Sequence, residues 1–453
     1  MNRATNYFLW LTVIASTSPI GAQVPTTTPT QPVVTAIPKT PAGEALRAWL
    51  EAFNSGDTAR LGAYHRRFEP EMTVGDELEF REQTGGFDLL TIERNEPLHL
   101  EFTVRERNSP MTAYGVVDVL GAEPVRVKRR LQAMGPNASA AALRIDAATR
   151  ARAVAGAAAL LDTFYVFPDV ARRMGDSLRA RLARKEYDRY ANGVMFAMRL
   201  NDDLAEIAHD KHLRVDYSAR PLPPDDARPV GAPPHTPSPE DQAREREFLD
   251  RINCGFVKAE QLPGNVGYLK FNGFLDVDRC ATTASAAMTF LAGTRALIID
   301  MRENGGGSPG MVAFVSSYLF NRRTHLNDLW TRRTGKTEEF WTRDSVPGRR
   351  FGGEKPIYVL TSAGTFSGAE EFTYNLKNLK RATIVGETTG GGAHPVAGHR
   401  IDEHFIIGVP FARAINPITH TNWEGVGVQP DIIVPANDAL ATAQRLLREK
   451  PRQ

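Results

Sequence analysis

The sequence predicts a multidomain protein of mixed α/β and α+β class, and three observations carry that expectation. From Gly264 onward, short apolar runs alternate with segments of helical spacing: residues 295–301, 311–320, 356–361, a helix after Ser367, and 382–386. That is the rhythm of parallel βαβ units. Upstream, residues 140–208 are rich in Ala and Arg, and Leu200, Leu204, Ile207 and Ala208 fall on one helical face. Near the start, one amphipathic helix precedes strand-like runs at 98–104 and 114–119, the pattern of a small α+β unit.

The bulk properties fit a soluble chain with room for two or three cores. It has 453 residues, 42% hydrophobic and 24% charged, and a net charge of +2 from 55 basic and 53 acidic side chains. No block of like charge stands out, so nothing points to nucleic acid. Residues 1–22 have a signal-peptide layout: Asn2-Arg3 gives a positive start, 7–16 are apolar, and Gly21-Ala22 precede Gln23. The apolar run is short for a bilayer span, and an uncleaved anchor is the alternative. The expected location is therefore periplasmic or extracellular, with no integral span once the signal is removed.

Boundaries follow from composition. Residues 23–41 form a Pro/Thr-rich linker, 42–135 the small α+β domain, 136–220 a helical domain, 221–245 a Pro-rich linker, and 246–450 the last domain. In the first domain Ala45, Trp49, Ala52 and Phe53 mark a helix that stops at Asn54-Ser-Gly-Asp57. The stretch Ala-Trp-Leu-Glu-Ala-Phe-Asn-Ser-Gly-Asp resembles the first helix of nuclear-transport-factor-like cone domains. No catalytic constellation is evident there, and spacing or substrate contact is the expected role. Cys254 and Cys280, in an oxidising compartment, form either a disulfide or two separately buried thiols. Two cysteines alone cannot build a four-ligand zinc site, and no His-rich motif completes one.

The chemistry concentrates at Ser367. Residues 356–361 read as a buried strand, and Phe372, Leu376 and Leu379 continue as a helix, so the serine sits at a strand–turn–helix junction. Free amides at a helix N-terminus favour negative charge and can hold an oxyanion. The same residues, Ser367-Gly-Ala-Glu370, are also a capping box, which begins many non-catalytic helices. The glycine run ending at Gly307 lacks both the phosphate-loop ending and the dinucleotide fingerprint, so no nucleotide is expected. His212, in Asp210-Lys-His212, would pass for an ordinary polar residue at a helix end.

Taken together, three motifs resemble the tail-specific, or C-terminal-processing, serine peptidases. They are Asp300-Met-Arg-Glu-Asn-Gly-Gly-Gly307, Ser367-Gly-Ala-Glu370 and Gly425-Val-Gly-Val-Gln-Pro-Asp431. The resemblance implies a crotonase/Clp-like ββα-type peptidase core, preceded by the helical segment. There is one departure. In the bacterial processing branch a lysine twenty-five positions after the serine is the general base, and here that position is Gly392. The chain is more similar to the branch without that lysine, that of tricorn-type peptidases and the modules of interphotoreceptor retinoid-binding protein. That similarity implies His212 as base, Glu424 as its orienting carboxylate, and an oxyanion hole from Gly368 and the 305–307 loop, taken as Gly306. Lys211 stands where the tricorn-type pattern has a serine. His394, His399 and His404 are weaker candidates for the base, and Glu370 is read as a cap. Residues 217–262 are too few and too Pro-rich for a PDZ-like insert.

The expected function is an exported serine endopeptidase that cleaves peptides or unfolded protein segments through an acyl-enzyme, with no metal or organic cofactor. The alternative is a non-hydrolytic binding module for apolar ligands on the same fold, as in the retinoid-binding relatives.

Overall fold

The computed structural model describes residues 36–70, 72, 74–122, 125–222 and 239–449. The expected signal peptide, the linker up to residue 35 and residues 223–238 lie outside the described residues. No helix among the described residues is long and apolar enough to cross a membrane. The chain divides into two compact units, the first built from residues up to Thr149 with Asp188–Ala197 and Tyr217–Leu222.

In the first unit, α1 (Pro41–Ser55) starts where Thr40 accepts the Gly43 amide and ends at Gly56, whose φ of 65° suits a residue without Cβ. Asp57 caps α2 (Thr58–Phe68) by accepting the Ala59 and Arg60 amides, and α3 (Val74–Thr84) follows. Four antiparallel strands come next in simple meander order: β1 (Phe87–Glu96), β2 (His99–Glu106), β3 (Met111–Ala122) and β4 (Val125–Pro136). Register shifts in β1–β2 and β3–β4 increase the local twist. The apolar stripe of α1 buries Trp49 and Phe53 against Phe87 and Phe102 of the sheet. A charged centre accompanies this core: Arg129 pairs with Glu69 at 3.0 Å and Glu77 at 2.6 Å, and Trp49 Nε1 donates to Glu77.

The second unit holds Arg150–Tyr187, Met198–Asp216 and the chain after Leu222, and so most of the helical segment. Its helices are α4 (Ala147–Phe164), α5 (Pro168–Ala183) and α6 (Gly193–Ala208). Pro168 opens α5, where its missing N–H costs nothing. Arg181 and Arg199 neutralise buried Asp203, at 3.2 and 2.7 Å, and Tyr187 donates to the same carboxylate. Then come β5 (Arg214–Tyr217), α7 (Pro239–Arg251), β6 (Phe256–Leu262), β7 (Val266–Phe271), α8 (Val277–Leu291), β8 (Ala296–Asp300) and α9 (Pro309–Ser316). The chain continues through β9 (His325–Thr331), β10 (Lys336–Trp341), β11 (Ile357–Thr361), α10 (Gly368–Asn378) and β12 (Thr383–Gly386). It closes with β13 (Val396–Arg400), β14 (Phe405–Pro410), β15 (Ala412–Ile415), β16 (Ile432–Ile433) and α11 (Ala436–Glu449).

Six strands form the central sheet in the order β16-β12-β11-β8-β7-β6, parallel except for the edge pair β6–β7. Every residue of β8 and β11 is buried, as expected for strands covered on both faces. Alternation splits them between two cores. Leu297, Ile299, Ile357 and Val359 pack with α8, α9 and α10. Ala296, Ile298, Tyr358 and Leu360 pack with Ala439, Ala443 and Leu447 of α11. Two smaller sheets, β10-β9-β15 and β13-β14-β5, complete the unit. The mixed α/β class is thus observed.

Cys254 and Cys280 are joined, tying the turn before β6 to α8 across a sequence separation of 26. Cross-linking a loop of that size restricts the unfolded chain by about 3–4 kcal/mol. The Cys254→Ala/Cys280→Ala protein should therefore unfold at a lower urea midpoint, with a steeper slope because the released unfolded chain exposes more surface, measured by circular dichroism. An unchanged midpoint would show that the bridge adds no stability.

Candidate active site

The turn that carries Ser367 is fixed from behind by the end of β8. Thr365 Oγ1 donates to Met301 O at 2.8 Å, the Phe366 amide to Asn304 O at 3.0 Å, and Ser362 Oγ to Arg302 O at 2.5 Å. Arg302 in turn holds both oxygens of Asp300, at 2.8 and 2.6 Å, and Tyr268 donates to that carboxylate. The Asp300-Met-Arg302 motif therefore acts as a brace. Ser367 itself has φ 52° and ψ −118°, a strained conformation for a side chain with Cβ. Such a sharp strand-to-helix turn presents a hydroxyl at the head of a helix.

Glu370 does more than cap. Its carboxylate accepts from the Ser367 amide at 2.9 Å, Thr389 Oγ1 at 2.5 Å, the Gly391 amide at 2.6 Å and the Gly392 amide at 2.8 Å. It thereby joins the serine turn to the glycine loop. Burial pushes this carboxyl up to about 7, against the pull of its four donors.

His212 lies on the turn after α6, where its amide donates to Asp210 Oδ1 at 3.0 Å. The neighbouring Lys211 Nζ donates to Gly390 O, fastening this turn to the same glycine loop. The imidazole is buried under Phe366, with ring centroids 4.6 Å apart. Burial pushes it down to about 4, so it is neutral near pH 7. Gly392 completes the enclosure: a Cβ there would stand 2.3 Å from Phe366 Cζ and 2.6 Å from His212 Cε1. Any residue with a Cβ at this position, a lysine included, would require one of the two rings to shift.

On its other edge His212 faces two carboxylates. Its Nδ1 is 4.0 Å from Asp210 Oδ1 and has no hydrogen-bond partner among the described residues. Atoms of Asp210, His212 and Glu424 lie within 4.8 Å of one another. His394 Nδ1 bridges the two acids, 2.7 Å from Asp210 and 3.4 Å from Glu424. Glu424 also accepts the Ala393 amide at 2.6 Å, and burial first, then the charge of Asp210, pushes it up to about 7. The spacing of the three residues would admit a cation, but His394 already occupies that electrostatic role. The other ligand-like group, His65, Glu69 and Glu77, has Arg129 as its counter-charge.

The glycine amides differ from the expectation by one residue. The Gly306 amide donates to Asn304 Oδ1 at 2.9 Å, and Gly305 to Asn272 O at 3.2 Å, so neither is free. Among the described residues the Gly307 and Gly368 amides have no acceptor, and a Cβ on Gly368 would stand 2.9 Å from Gly307 N. Gly306, with φ 98°, instead permits close approach, since a Cβ there would lie 2.5 Å from Gly368 N.

The structure thus places Ser367, Gly306 and Gly368 in one turn cluster, and His212 and Glu424 in an adjacent one joined through Phe366 and the 389–393 loop. No hydrogen bond links Ser367 Oγ to His212 among the described residues. Catalytic hydrogen bonds are often long before substrate arrives. Asp210 had no assigned role in the sequence; its adjacency to His212 two positions on was the available signal. His394 had been ranked among weaker candidates for the base.

Residues 265–434 match the model described as peptidase family S41. Residues 132–251 match the model for the N-terminal domain of that peptidase in eukaryotic IRBP. A carboxyl-terminal-processing peptidase 2, chloroplastic, of Arabidopsis thaliana is 26% identical over 196 residues, 41% of this chain and 36% of the relative. A putative tricorn protease homolog 2 of Streptomyces coelicolor is 25% identical over 198 residues, 42% of this chain and 14% of the relative. The chain spans well under half the length of the curated relatives it matches. Among solved structures, a putative peptidase from Parabacteroides merdae aligns with a TM-score of 0.46 at 16% identity, covering 67% of this chain and 98% of that one.

The crowding around Gly392 has a direct consequence. Gly392→Ala forces Phe366 or the His212 ring to move, an overpacking cost of roughly 1–3 kcal/mol. Thermal melts should show the lower Tm; an unchanged Tm would mean that both rings yield freely.

Proposed function

The chain belongs to peptidase family S41, and from that premise we propose that it is a serine peptidase that cleaves peptides or unfolded protein segments. The observation that carries this reading is the meeting of a strained Ser367 turn, two unused amides and a buried neutral histidine around one glycine loop. In this reading Ser367 Oγ attacks the scissile carbonyl carbon and its proton passes to His212 Nε2. Asp210 and Glu424 lie near the ring, and closing the 4.0 Å gap from Asp210 to Nδ1 on substrate binding would fix the tautomer and stabilise the imidazolium as it forms. The Gly307 and Gly368 amides receive the oxyanion. Collapse breaks the C–N bond, the amine leaves with the proton from His212, and water then releases the acyl group by the reverse sequence.

The wider assignment rests on the same footing. We read the core at 246–450 as crotonase/Clp-like and the chain as exported to the periplasm or outside the cell. The charged and apolar order of residues 1–22 and the Cys254–Cys280 bridge support the export. The domain at 42–135 is read as a spacer or substrate contact.

The test compares wild type with Ser367→Ala on an unstructured protein, with fragments identified by mass spectrometry. Wild type alone should cleave, and the serine variant should lose on the order of 10⁵–10⁶-fold in kcat. Equal cleavage by both would remove Ser367 from the reaction. No cleavage by either, with an apolar ligand retained through purification, would favour the binding-module alternative.

The pH profile is a second prediction. The base must be neutral, so kcat/KM falls as pH drops through its pKa, and burial has moved that value down to about 4. The acid limb that belongs to His212 should therefore lie well below pH ~6.5, the ordinary histidine value. A His212 limb at or above that value would show that the ring is solvated.

A further inference from the structure

Two carboxylates and a histidine packed this closely, away from water, present an electrostatic difficulty. If both acids are ionised they repel each other, and a buried pair of like charges normally drives one of them to take a proton. Glu424 shows that tendency, since burial and Asp210 both push it upward. A protonated acid would make a poor acceptor for the His212 Nδ1 proton. Something must hold both acids ionised and pointed at the ring.

We propose that His394 is a positioning residue that bridges Asp210 and Glu424 and so aligns both carboxylates with the buried edge of His212. This rests on the peptidase reading above. Its Nδ1 lies 2.7 Å from Asp210 Oδ2 and 3.4 Å from Glu424 Oε2, while Asp210 Oδ1 is the oxygen turned toward His212. The ring is 4% exposed and is set edge-on against Phe167, centroids 5.4 Å apart and planes at 72°. The segment just before it is pinned twice, by the Ala393 amide on Glu424 and by Trp423 Nε1 on Gly392 O at 2.7 Å. With Nδ1 spent on Asp210, the ring is committed to the acids.

The charges around His394 favour a cation. Burial pulls its imidazole down, but the Asp210 hydrogen bond and the charges of Glu424 and Asp210 carry it above the ordinary value, with Arg413 opposing. His212 is a further neighbour, and the His394 cation helps keep it unprotonated. Tyr165, 3.3 Å from Asp210 Oδ2, and Glu370, acting on Glu424, complete the titratable groups around the network. His394 thus has two separable effects. Its N–H orients the acids, and its charge lowers the affinity of His212 for a proton.

Two substitutions separate these effects. His394→Asn keeps a donor close to the Nδ1 position and removes the charge; His394→Ala removes both. The alanine variant should lose about 10²-fold in kcat with KM little changed, as a mis-set base would. The asparagine variant should recover most of that loss at high pH, while its acid limb moves up by roughly one pH unit. A readout independent of turnover is the NMR titration of the His212 ring, recorded with and without His394→Asn. Its midpoint should rise by roughly one unit when the cation is removed. An unmoved His212 midpoint, or an asparagine variant as impaired as the alanine one, would overturn the proposal. A wild type that cleaves nothing overturns the peptidase reading instead, and the titration then still decides whether His394 governs His212. Should the alanine variant fail to fold, the asparagine variant alone decides.

Discussion

The Glu370 carboxylate accepts hydrogen bonds from the Ser367 amide, the Thr389 hydroxyl and the Gly391 and Gly392 amides, and most of the site's geometry depends on it. It sits in the first turn of α10, so its position follows from the helix, and the helix is packed through Phe372 and Leu376 into the larger core. Four donors aimed at one buried acid can be satisfied in few arrangements. They fix the start of the helix and the glycine loop as one body. Through Lys211 on Gly390 and His212 beside Gly392, the turn after α6 joins that body. Residues 212 and 367, far apart in the chain, are thus held by a shared loop.

Backbone strain and open amides belong to the same construction. Ser367 is held at positive φ by bonds on either side: Phe366 to Asn304 before it and its own amide to Glu370. Asn304 also takes the Gly306 amide and gives its own side-chain N–H to Phe271 O, so it orders the glycine run from within. Among the described residues the amides of Gly307 and Gly368 have no acceptor, while those of Gly305, Gly306 and Ser367 are engaged. A polar hole of this kind requires little rearrangement when charge develops.

Much of this could be read from the sequence, and the limits have physical causes. The buried strands β8 and β11 announce themselves because a strand covered on both faces must be apolar throughout. The strand–turn–helix junction at Ser367 was legible because a buried apolar run precedes the serine and helical spacing follows it. The helix after the glycine run shows the usual softness of boundaries. The spacing predicts 311–320, whereas the α-helix spans Pro309–Ser316 and tightens into a 3-10 turn at Ser317–Leu319. Which amide of the 305–307 loop stays without an acceptor among the described residues could not be read, because it depends on which amide Asn304 captures, and that is a tertiary outcome. The roles of Asp210 and His394 were hidden for the same reason. One ends a helix and the other follows a glycine run, 184 positions apart, and only the folded loop makes them partners.

The glycine at 392 shows why the base and its surroundings must change together. A side chain there would press on His212 and Phe366 as they now stand, so a larger residue at this position requires both rings to be rearranged. With glycine at 392, no cation from that position stands beside the serine, and the base proposed above, His212, comes from a different element and needs its own means of orientation. In the proposed mechanism that orientation falls to Asp210, on the same turn as His212, and to Glu424, two residues before Val426 in the terminal motif. Two acids this close repel each other when ionised, and the imidazole of His394 lies against both of them. Gly392, Asp210, Glu424 and His394 therefore form a linked set, in which each residue type makes physical sense only in the presence of the others.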